Sequence, residues 1–403
     1  MTAVASHWQE ATLGELIELH DHLRVPLSSA HRMTRKGKYP YYGASGVIDY
    51  IDDYIFDGPY LLISEDGENL NTRKTPIAFR ASGKFWVNNH AHIVRGKPGI
   101  AHDRFLEYVI AIANISGLVT GAAQPKLSQA NLKLLKIRMP DWGTQKAILQ
   151  TLSAYDDLIE NNTRRIKILE DMAQMIYREW FVNFRFPGHE KVRMVESEFG
   201  PIPEGWSVKR FDEVAIITMG LSPKGDTYND DGTGSPLING PVEFGDRFTK
   251  AVKWTTAPTK CCEKGDLIVC VRGSTTGRYV KSDGVYCVGR GVCAMSSPHQ
   301  CFVDCLFADQ LPTLLAQTSG STFPSWTGPQ LKSHPVKCPP TPLLNHFEQL
   351  IRPMSAAVAS YSDAIHNLRT TRDLLLPKLI SGEISVEAAE VAAEITEEVA
   401  LHA

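Results

Sequence analysis

The chain has 403 residues, of which 43% are hydrophobic and 22% are charged. This length allows two or three domains, and this composition is that of a soluble globular protein, which excludes the disordered and fibrous classes. The first residues lack the basic patch and apolar run of a secretion signal, and no stretch approaches the roughly 18 apolar residues that a membrane helix needs. We therefore expect a cytoplasmic protein with no membrane partner.

The net charge of −3 is unevenly distributed along the chain. Residues 382–403 contain six glutamates and no lysine or arginine, so the remainder of the chain has a net charge of +3. Phosphate binding depends on local clusters of basic residues rather than on a basic whole. Composition therefore neither requires nor excludes a nucleic-acid partner.

The first predicted domain covers residues 1–142 and is rich in glycine, proline, tyrosine and short β-branched runs. It shows no sustained helical period, so we expect mixed α/β content with one short helix near Arg104–Asn114. A first long helix is predicted over residues 143–185. Its stripe advances in alternating steps of four and three residues and has Asn162 as its polar member; the apolar members are Ile148, Leu152, Tyr155, Ile159, Ile166, Leu169, Ala173, Ile176 and Trp180.

The second half of the chain repeats this order. Residues 186–342 are predicted to form a linker and a second domain, with one short helix near Val303–Gln317. A second long helix is predicted over residues 343–384, and an acidic tail occupies residues 385–403. The stripe of the second helix has Arg372 as its polar exception; the apolar members are Phe347, Ile351, Met354, Val358, Tyr361, Ile365, Leu368, Leu375 and Leu379.

This alternation of four and three, kept over about five heptads, is typical of a coiled coil. The two long helices are therefore predicted to pair with each other. At 1.5 Å per residue, a helix from Gln145 to Phe181 would extend over about 55 Å, which is enough to act as a spacer between the domains.

A repeat with a period near half the chain is the strongest internal signal. Trp8, Leu13 and Leu16 recur 198 residues later as Trp206, Phe211 and Val214. A second group recurs after 199 residues, with Gly121, Pro125, Leu132, Ile137 and Pro140 matched by Gly320, Pro324, Leu331, Val336 and Pro339. The middle matches less well, with Gly67 and Gly273 separated by 206 residues and Gly83 and Gly284 by 201. A shared scaffold with divergent loops favours two domains that do one job on different targets, although a duplicated structural unit gives the same pattern.

Motifs that would carry catalysis or hold a metal are missing from the sequence. No stretch matches the Asn/Asp-Pro-Pro-aromatic motif of amino-methyltransferases, a phosphate-binding glycine loop or a Gly-x-Ser-x-Gly elbow. All eight cysteines lie between Cys261 and Cys338 without a zinc-knuckle spacing, so we expect reduced thiols. His90 and His92 lack a third ligand nearby, which favours a structural role. We predict no catalytic site, no metal site and no cofactor in this chain.

Several segments resemble one known family. Phe199-Gly-Pro-Ile-Pro-Glu-Gly-Trp206, just after a long helix, is similar to the opening of the second target-recognition domain in the specificity subunits of type I restriction-modification enzymes. Further similar segments are Tyr39–Gly46, Gly220–Gly225, Pro236–Gly240 and the closing Leu374–Ile384. The resemblance covers nearly the whole chain except the tail after Ile384.

The resemblance implies an α+β fold in which two globular target-recognition domains alternate with two long helices that pair as an antiparallel coiled coil. It also implies a subunit that catalyses nothing itself and reads a bipartite site in double-stranded DNA. Its partners would be two modification subunits, which bind S-adenosylmethionine and methylate adenine, and a further motor and nuclease subunit. Two readers on a stiff spacer can contact grooves about 34 Å apart, one turn of DNA, and ignore the bases between them.

Base reading needs side chains that match base edges: arginine for guanine and asparagine or glutamine for adenine, with lysines and hydroxyls often on phosphate. Loops near glycines carry such residues best. The candidates in the first domain are Tyr41, Tyr42, Ser45, Arg73, Lys74, Asn88, Asn89, Gln124 and Lys126. Those in the second domain are Lys224, Tyr228, Asn239, Arg272, Ser274, Thr275, Arg278 and Arg290.

A second function is also compatible with the sequence. The chain could be a coiled-coil adaptor whose two globular domains bind proteins, which its nearly neutral charge permits. Duplex binding that weakens with salt separates the two readings, because phosphate contacts release counterions and protein contacts need not.

Overall fold

The computed structural model describes residues 8–121, 123–318 and 324–386. Gly320 of the repeat and residues 387–403 of the acidic tail lie outside the described residues. The chain divides into two compact units, of which the first is Met1–Glu160 with His366–Ala403 and the second is Asn161–Ile365. Each unit contains one sheet-rich domain and a part of each long helix. No helix in the described ranges is both long and apolar enough to cross a bilayer.

The described residues of the first unit form ten strands. They are β1 Gln9–Thr12, β2 Ile17–Leu19, β3 Lys36–Gly43, β4 Gly46–Ile51, β5 Phe56–Asp57, β6 Tyr60–Ser64, β7 Ala78–Ala81, β8 Lys84–Val87, β9 Ala91–Gly96 and β10 Lys136–Met139. The helices that begin in this unit are α1 Leu13–Leu16, α2 Ser29–Thr34, α3 Asn69–Thr72, α4 Asp103–Ile112, α5 Gln129–Lys133 and the long α6 Trp142–Tyr177. A turn of π-helix, Arg178–Val182, continues α6 in the second unit.

Two four-stranded sheets form the centre of the first domain. One has the order β2-β9-β6-β7 with antiparallel neighbours, and the other has the order β4-β3-β8-β5 with β3 and β8 parallel. Because β8 and β9 follow each other in the chain, residues 88–90 pass from one sheet to the other. The largest core of this unit joins the first sheet, α4 and the long helices through residues such as Leu61, Phe105, Ile148 and Leu379. Burial of each such side chain contributes about 1.5–3 kcal/mol.

The second unit contains the strands β11 Met194–Val195, β12 Ile202–Pro203, β13 Ser207–Arg210, β14 Ile216–Met219, β15 Tyr228–Asn229, β16 Ser235–Ile238, β17 Lys253–Thr255, β18 Cys261–Cys262, β19 Leu267–Cys270, β20 Tyr279–Lys281, β21 Tyr286–Val288, β22 Val292–Ser296 and β23 Pro335–Cys338. Its helices are α7 Gln300–Ala316, α8 Gly328–Ser333 and the first part of α9 Thr341–Ser381.

The second domain repeats the topology of the first. Its sheets have the orders β14-β22-β19-β20 and β15-β17-β16-β21-β18, and β16 pairs with β21 in parallel, as β3 does with β8. The short helices α4 and α7 lie where the sequence predicts them, near Arg104–Asn114 and Val303–Gln317. The eight cysteines of this domain have free thiols. The predicted α+β organisation with long helices is confirmed.

The long helices pair within the first unit. Asp156 Oδ1 on α6 accepts a hydrogen bond from Arg372 Nη1 on α9 at 2.8 Å, so the polar exception of the second stripe has an ionic partner in the first helix. Ile148 and Leu379 share one core cluster. Residue numbers therefore rise along α6 as they fall along α9, and the pairing is antiparallel.

The same pairing recurs within the second unit. The Arg165 guanidinium lies 5.5 Å from the centre of the Tyr361 ring, and the rings of Trp180 and Phe347 are 5.8 Å apart. Every member of the two predicted stripes is buried or half-buried, and Asn162 is 8% exposed. The alternating spacing thus identified the buried seam correctly.

Candidate nucleic-acid interface

One backbone framework occurs in both domains, and its hydrogen bonds show which residues correspond. In the first domain Gly67 N donates to Pro125 O at 3.0 Å, and in the second Gly273 N donates to Pro324 O at 3.0 Å. Both glycines have positive φ angles, 107° and 88°, which favour glycine at this turn. The separations of 206 and 199 residues that the sequence indicated are therefore structural equivalences.

Two further bonds complete the framework. Glu65 N donates to His90 O at 2.9 Å, as Val271 N does to Gly291 O at 2.9 Å. Leu127 N donates to Glu65 O at 2.8 Å, as Trp326 N does to Val271 O at 3.0 Å. These bonds bring together the end of one central strand, the crossing between the sheets and a segment before α5 or α8. We call this surface the loop edge; it comprises residues 64–67, 88–90 and 125–127 in the first domain and 270–273, 289–291 and 324–326 in the second.

Side chains on the loop edge differ between the domains although the backbone is shared. Asp66 corresponds to Arg272, because both form the bridge to the segment before the next helix, with Lys126 and Ser325 respectively. Asn89 corresponds to Arg290, because the segments that cross between the sheets lie 201 residues apart in the two domains. The first loop edge therefore carries an acid and an amide where the second carries two guanidinium groups.

The two arginines of the second loop edge point outward. Arg272 and Arg290 are exposed, and neither forms a salt bridge with any residue in the described ranges. Gly289 and Gly291 flank Arg290, and a Cβ at either position would collide with Asn239. Arg290 is therefore the single side chain that this tight crossing presents.

The turn that follows Arg272 is stabilised by the hydroxyl group of Thr276, which is part of the turn. Thr276 Oγ1 lies 2.8 Å from Gly273 O and 2.7 Å from Pro324 O, to which it donates. Arg278 is exposed at the end of this turn, with its guanidinium 5.8 Å from the centre of the Phe244 ring. This segment therefore presents cations from a fixed backbone.

A buried ionic network supports the first loop edge. His92 Nδ1 lies 2.6 Å from Asp21 Oδ2, and His92 Nε2 lies 2.8 Å from Leu127 O. Arg24 Nη1 donates to Glu65 Oε2 at 2.6 Å, and Lys126 Nζ lies 3.2 Å from Glu65 Oε1. Both ring nitrogens of His92 therefore face oxygen atoms of the network.

This network contains a set of donors that could hold a metal ion, namely Asp21, Glu65 and His92, whose ligand atoms lie within 4.8 Å of one another. Burial acts to raise the pKa of Asp21, but hydrogen bonds from His92 and the Ile93 backbone outweigh it, so this pKa lies below its usual value. Burial likewise acts to raise the pKa of Glu65, but the hydrogen bond from Arg24 opposes this effect, and the pKa of Glu65 also lies below its usual value. The carboxylates are thus already neutralised by protein cations, and the arrangement fits a structural network better than a metal centre.

Ten of the predicted interface residues are exposed. They are Ser45, Lys74, Asn89, Gln124, Lys126, Lys224, Arg272, Ser274, Arg278 and Arg290. Asn89, Lys126, Arg272 and Arg290 belong to the loop edge. The framework therefore brings together only part of the predicted set.

Four predicted residues of the first domain serve the fold, so we remove them from the contact set. Tyr41 is 0% exposed, with its hydroxyl accepting from Leu27 N at 2.9 Å, and Asn88 is 7% exposed, with its side chain accepting from the His90 backbone. Tyr42 packs against neighbouring aromatic rings. Arg73 donates to the carbonyls of Ile110, Ala111 and Ala113 and so caps α4.

Three predicted residues of the second domain are half-buried. The Tyr228 hydroxyl donates to Pro223 O at 3.2 Å, and the Asn239 side chain packs against Gly289. Thr275 accepts through its carbonyl from Arg278 N at 2.9 Å. The side-chain contacts of Tyr228 and Asn239 assign these two residues to shaping their loops, and the backbone of Thr275 closes the turn to Arg278.

Sequence reasoning missed Asp66 and His90 on the first loop edge. Asp66 accepts from His90 Nδ1, at 2.8 and 2.9 Å to its two oxygens. The separation between Gly67 and Gly273 already placed Asp66 opposite Arg272, so the repeat contained a signal for this position.

Comparisons with known proteins agree with this architecture. A family model described as type I restriction modification DNA specificity domain matches residues 5–171. The type I restriction enzyme MjaIX specificity subunit of Methanocaldococcus jannaschii is 26% identical over 350 residues, covering 81% of this chain and 80% of the relative. A putative specificity subunit of Haemophilus influenzae, S.HindORF215P, is 34% identical over 142 residues, which is 35% of this chain and 36% of that one.

The fold is also that of a solved structure. The S subunit of a type I restriction-modification system from M. genitalium superposes with a TM-score of 0.61 at 17% identity, covering 92% of this chain and 96% of that chain. The duplicated domains, the long helices and the matches over most of the sequence agree with one another. This chain is therefore similar, over most of its length, to the specificity subunits of type I restriction-modification enzymes.

Proposed function

We propose that this chain is the DNA-recognition subunit of a type I restriction-modification complex and that each domain reads one half of a bipartite site in double-stranded DNA. The observation that carries the proposal is the loop edge, which is built twice on one backbone framework with different side chains. Two readers with one architecture and different side chains suit two different half-sites. The chain itself is non-catalytic in this proposal.

The long helices are the proposed docking elements for two modification subunits, which would bind S-adenosylmethionine and methylate adenine, and a motor and nuclease subunit would complete the restriction enzyme. Support comes from a row of exposed apolar residues on α6 within the second unit. Ile168, Met172 and Met175 are 51%, 37% and 60% exposed and follow steps of four and three along one helix face. An apolar row left exposed is suited to a protein partner.

Methylation mapping tests the proposal directly. Genomic DNA from cells that carry this chain and its modification subunit is compared with DNA from cells in which this chain alone is deleted. We expect a split motif that is methylated only when the chain is present. If no methylated motif depends on the chain, the proposal is wrong.

Duplex binding by the assembled complex distinguishes the proposal from the protein-binding adaptor. The affinity for a duplex that carries the mapped motif should fall steeply as salt rises, because the protein releases counterions from each phosphate that it neutralises. An assembled complex that binds no duplex at low salt would favour the adaptor.

A further inference from the structure

The correspondence between the loop edges separates base-reading positions from phosphate-binding positions. The phosphate backbone is chemically the same in every half-site, so a position that contacts phosphate can keep a cation in both domains. Arg272 corresponds to Asp66, whose carboxylate would be repelled by a phosphate. Arg290 corresponds to the neutral Asn89. The chemistry at these two positions changes between domains, as expected for positions that face different bases.

We propose that positions 66/272 and 89/290 determine base specificity and that the half-site of the second domain contains guanines contacted by Arg272 and Arg290. This inference rests on the proposed function. A guanidinium offers two parallel donors that match O6 and N7 of guanine in the major groove. Both arginines are exposed and form no salt bridge within the described ranges, so no acidic partner must be displaced before they bind.

The backbone holds these arginines at defined positions. The bond from Val271 N to Gly291 O, 2.9 Å long, joins the residue before Arg272 to the residue after Arg290. The two side chains therefore leave neighbouring points of one framework and can reach neighbouring bases. In the first domain Asn89 occupies the corresponding position, and its amide matches N6 and N7 of adenine.

The test maps methylated motifs in cells that express Arg290→Gln, Arg290→Lys or Arg272→Gln with the modification subunit. We expect each Gln variant to lose the requirement for one guanine, with discrimination at that position falling roughly 10- to 100-fold, while the other half-site is unchanged. Arg290→Lys keeps the charge but lacks the planar fork, so it should relax the same position. Asn89→Ala should relax one position in the other half-site.

Lys264→Gln is the matched control, since Lys264 is also an exposed cation of the second domain but precedes β19, whereas Arg272 follows this strand. It should leave every position of the motif unchanged. Co-purification with the modification subunit and the circular dichroism spectrum check that each variant is folded.

The possible results separate this inference from the function on which it rests. If the motif of Arg290→Gln and Arg272→Gln matches that of the parent and only the methylated fraction falls, the arginines contact phosphate and the inference is overturned, while the proposed function stands. The inference is also overturned if the half-site that the Arg290 variants affect contains no guanine in the parent motif. If no motif depends on the parent chain, the proposed function itself fails.

Discussion

At the scale of single residues, the chemical type of a side chain leaves its use open. Arg73 is a cation in a loop, and the sequence places it among residues suited to DNA. The structure uses it to cap α4, with donors 3.3, 3.2 and 2.8 Å from the carbonyls of Ile110, Ala111 and Ala113. A cation at a helix C-terminus is favoured because the last carbonyls lack helical partners and carry partial negative charge.

Arg73→Ala should therefore lower the free energy of unfolding by about 2 kcal/mol, since it removes charge-assisted hydrogen bonds to partly buried carbonyls. Chemical denaturation of the full chain measures the loss. Lys74→Ala is the control, because this exposed neighbour should change stability by less than about 0.5 kcal/mol. If the two variants were equally stable and Arg73→Ala weakened duplex binding, Arg73 would be a residue of the DNA interface and not a helix cap.

At the scale of elements, one carboxylate ties α6 to both α4 and α9 within the first unit. Asp156 accepts from Arg104 at 2.8 Å, from the Tyr108 hydroxyl at 2.5 Å and from Arg372 at 2.8 Å. Burial acts to raise the pKa of Asp156, but these hydrogen bonds outweigh it and the pKa lies below its usual value. Burial, together with Asp156, raises the pKa of Tyr108 to about 12.

Asp156→Ala should destabilise the first unit by about 3 kcal/mol, because Arg104 would remain partly buried without its counter-charge and Arg372 would keep only Asp373 as an ionic partner. Arg372→Met should cost only about 1 kcal/mol, since methionine restores the apolar seam and Asp156 keeps two partners. Urea unfolding of both full-length variants compares them. A larger loss for Arg372→Met would contradict this account.

The contribution of Asp156 to stability depends on pH, because the pKa of this carboxyl is lowered in the folded chain. A carboxyl whose folded pKa is below its unfolded value contributes stability above the unfolded pKa, about 3.9, and loses it as pH falls through the folded pKa. The difference in stability between the parent and Asp156→Ala should therefore be full at neutral pH and shrink as the solution is acidified below about pH 4. A difference that grows on acidification would be inconsistent with an ionised Asp156.

At the scale of the whole molecule, the proposed assembly with modification subunits would use apolar surfaces that the described part of the chain leaves exposed. Met172→Glu places a charge in the middle of the exposed row with Ile168 and Met175, where docking would bury it without a partner. We expect at least about a tenfold loss of co-purified modification subunit, with little change in the stability of the chain itself. Ile216→Glu is the control, because Ile216 is also an exposed apolar residue, at 68%, but belongs to β14 and not to a long helix. Unchanged assembly by Met172→Glu would place the docking surface elsewhere.

Long-range regularities are what sequence alone determines well. The stripes of α6 and α9 are periodic over many residues, so single exceptions such as Asn162 and Arg372 do not obscure them. The repeat likewise predicted the shared framework, including the equivalence of Gly67 with Gly273. Both signals arise from backbone geometry that many positions must satisfy together.

Only the tertiary structure decided which loop residues form one surface. The loop edge assembles segments near residues 66, 89 and 126, far apart in the chain, and their separations from the second copy are 206, 201 and 199 residues. Burial depends on which strands and helices become neighbours. For this reason the sequence did not show that Tyr41 is a core residue or that Arg73 caps a helix. It also did not place Asp66 on the loop edge. Periodicity records the direction of a side chain relative to its own element, whereas a recognition surface is set by contacts between elements.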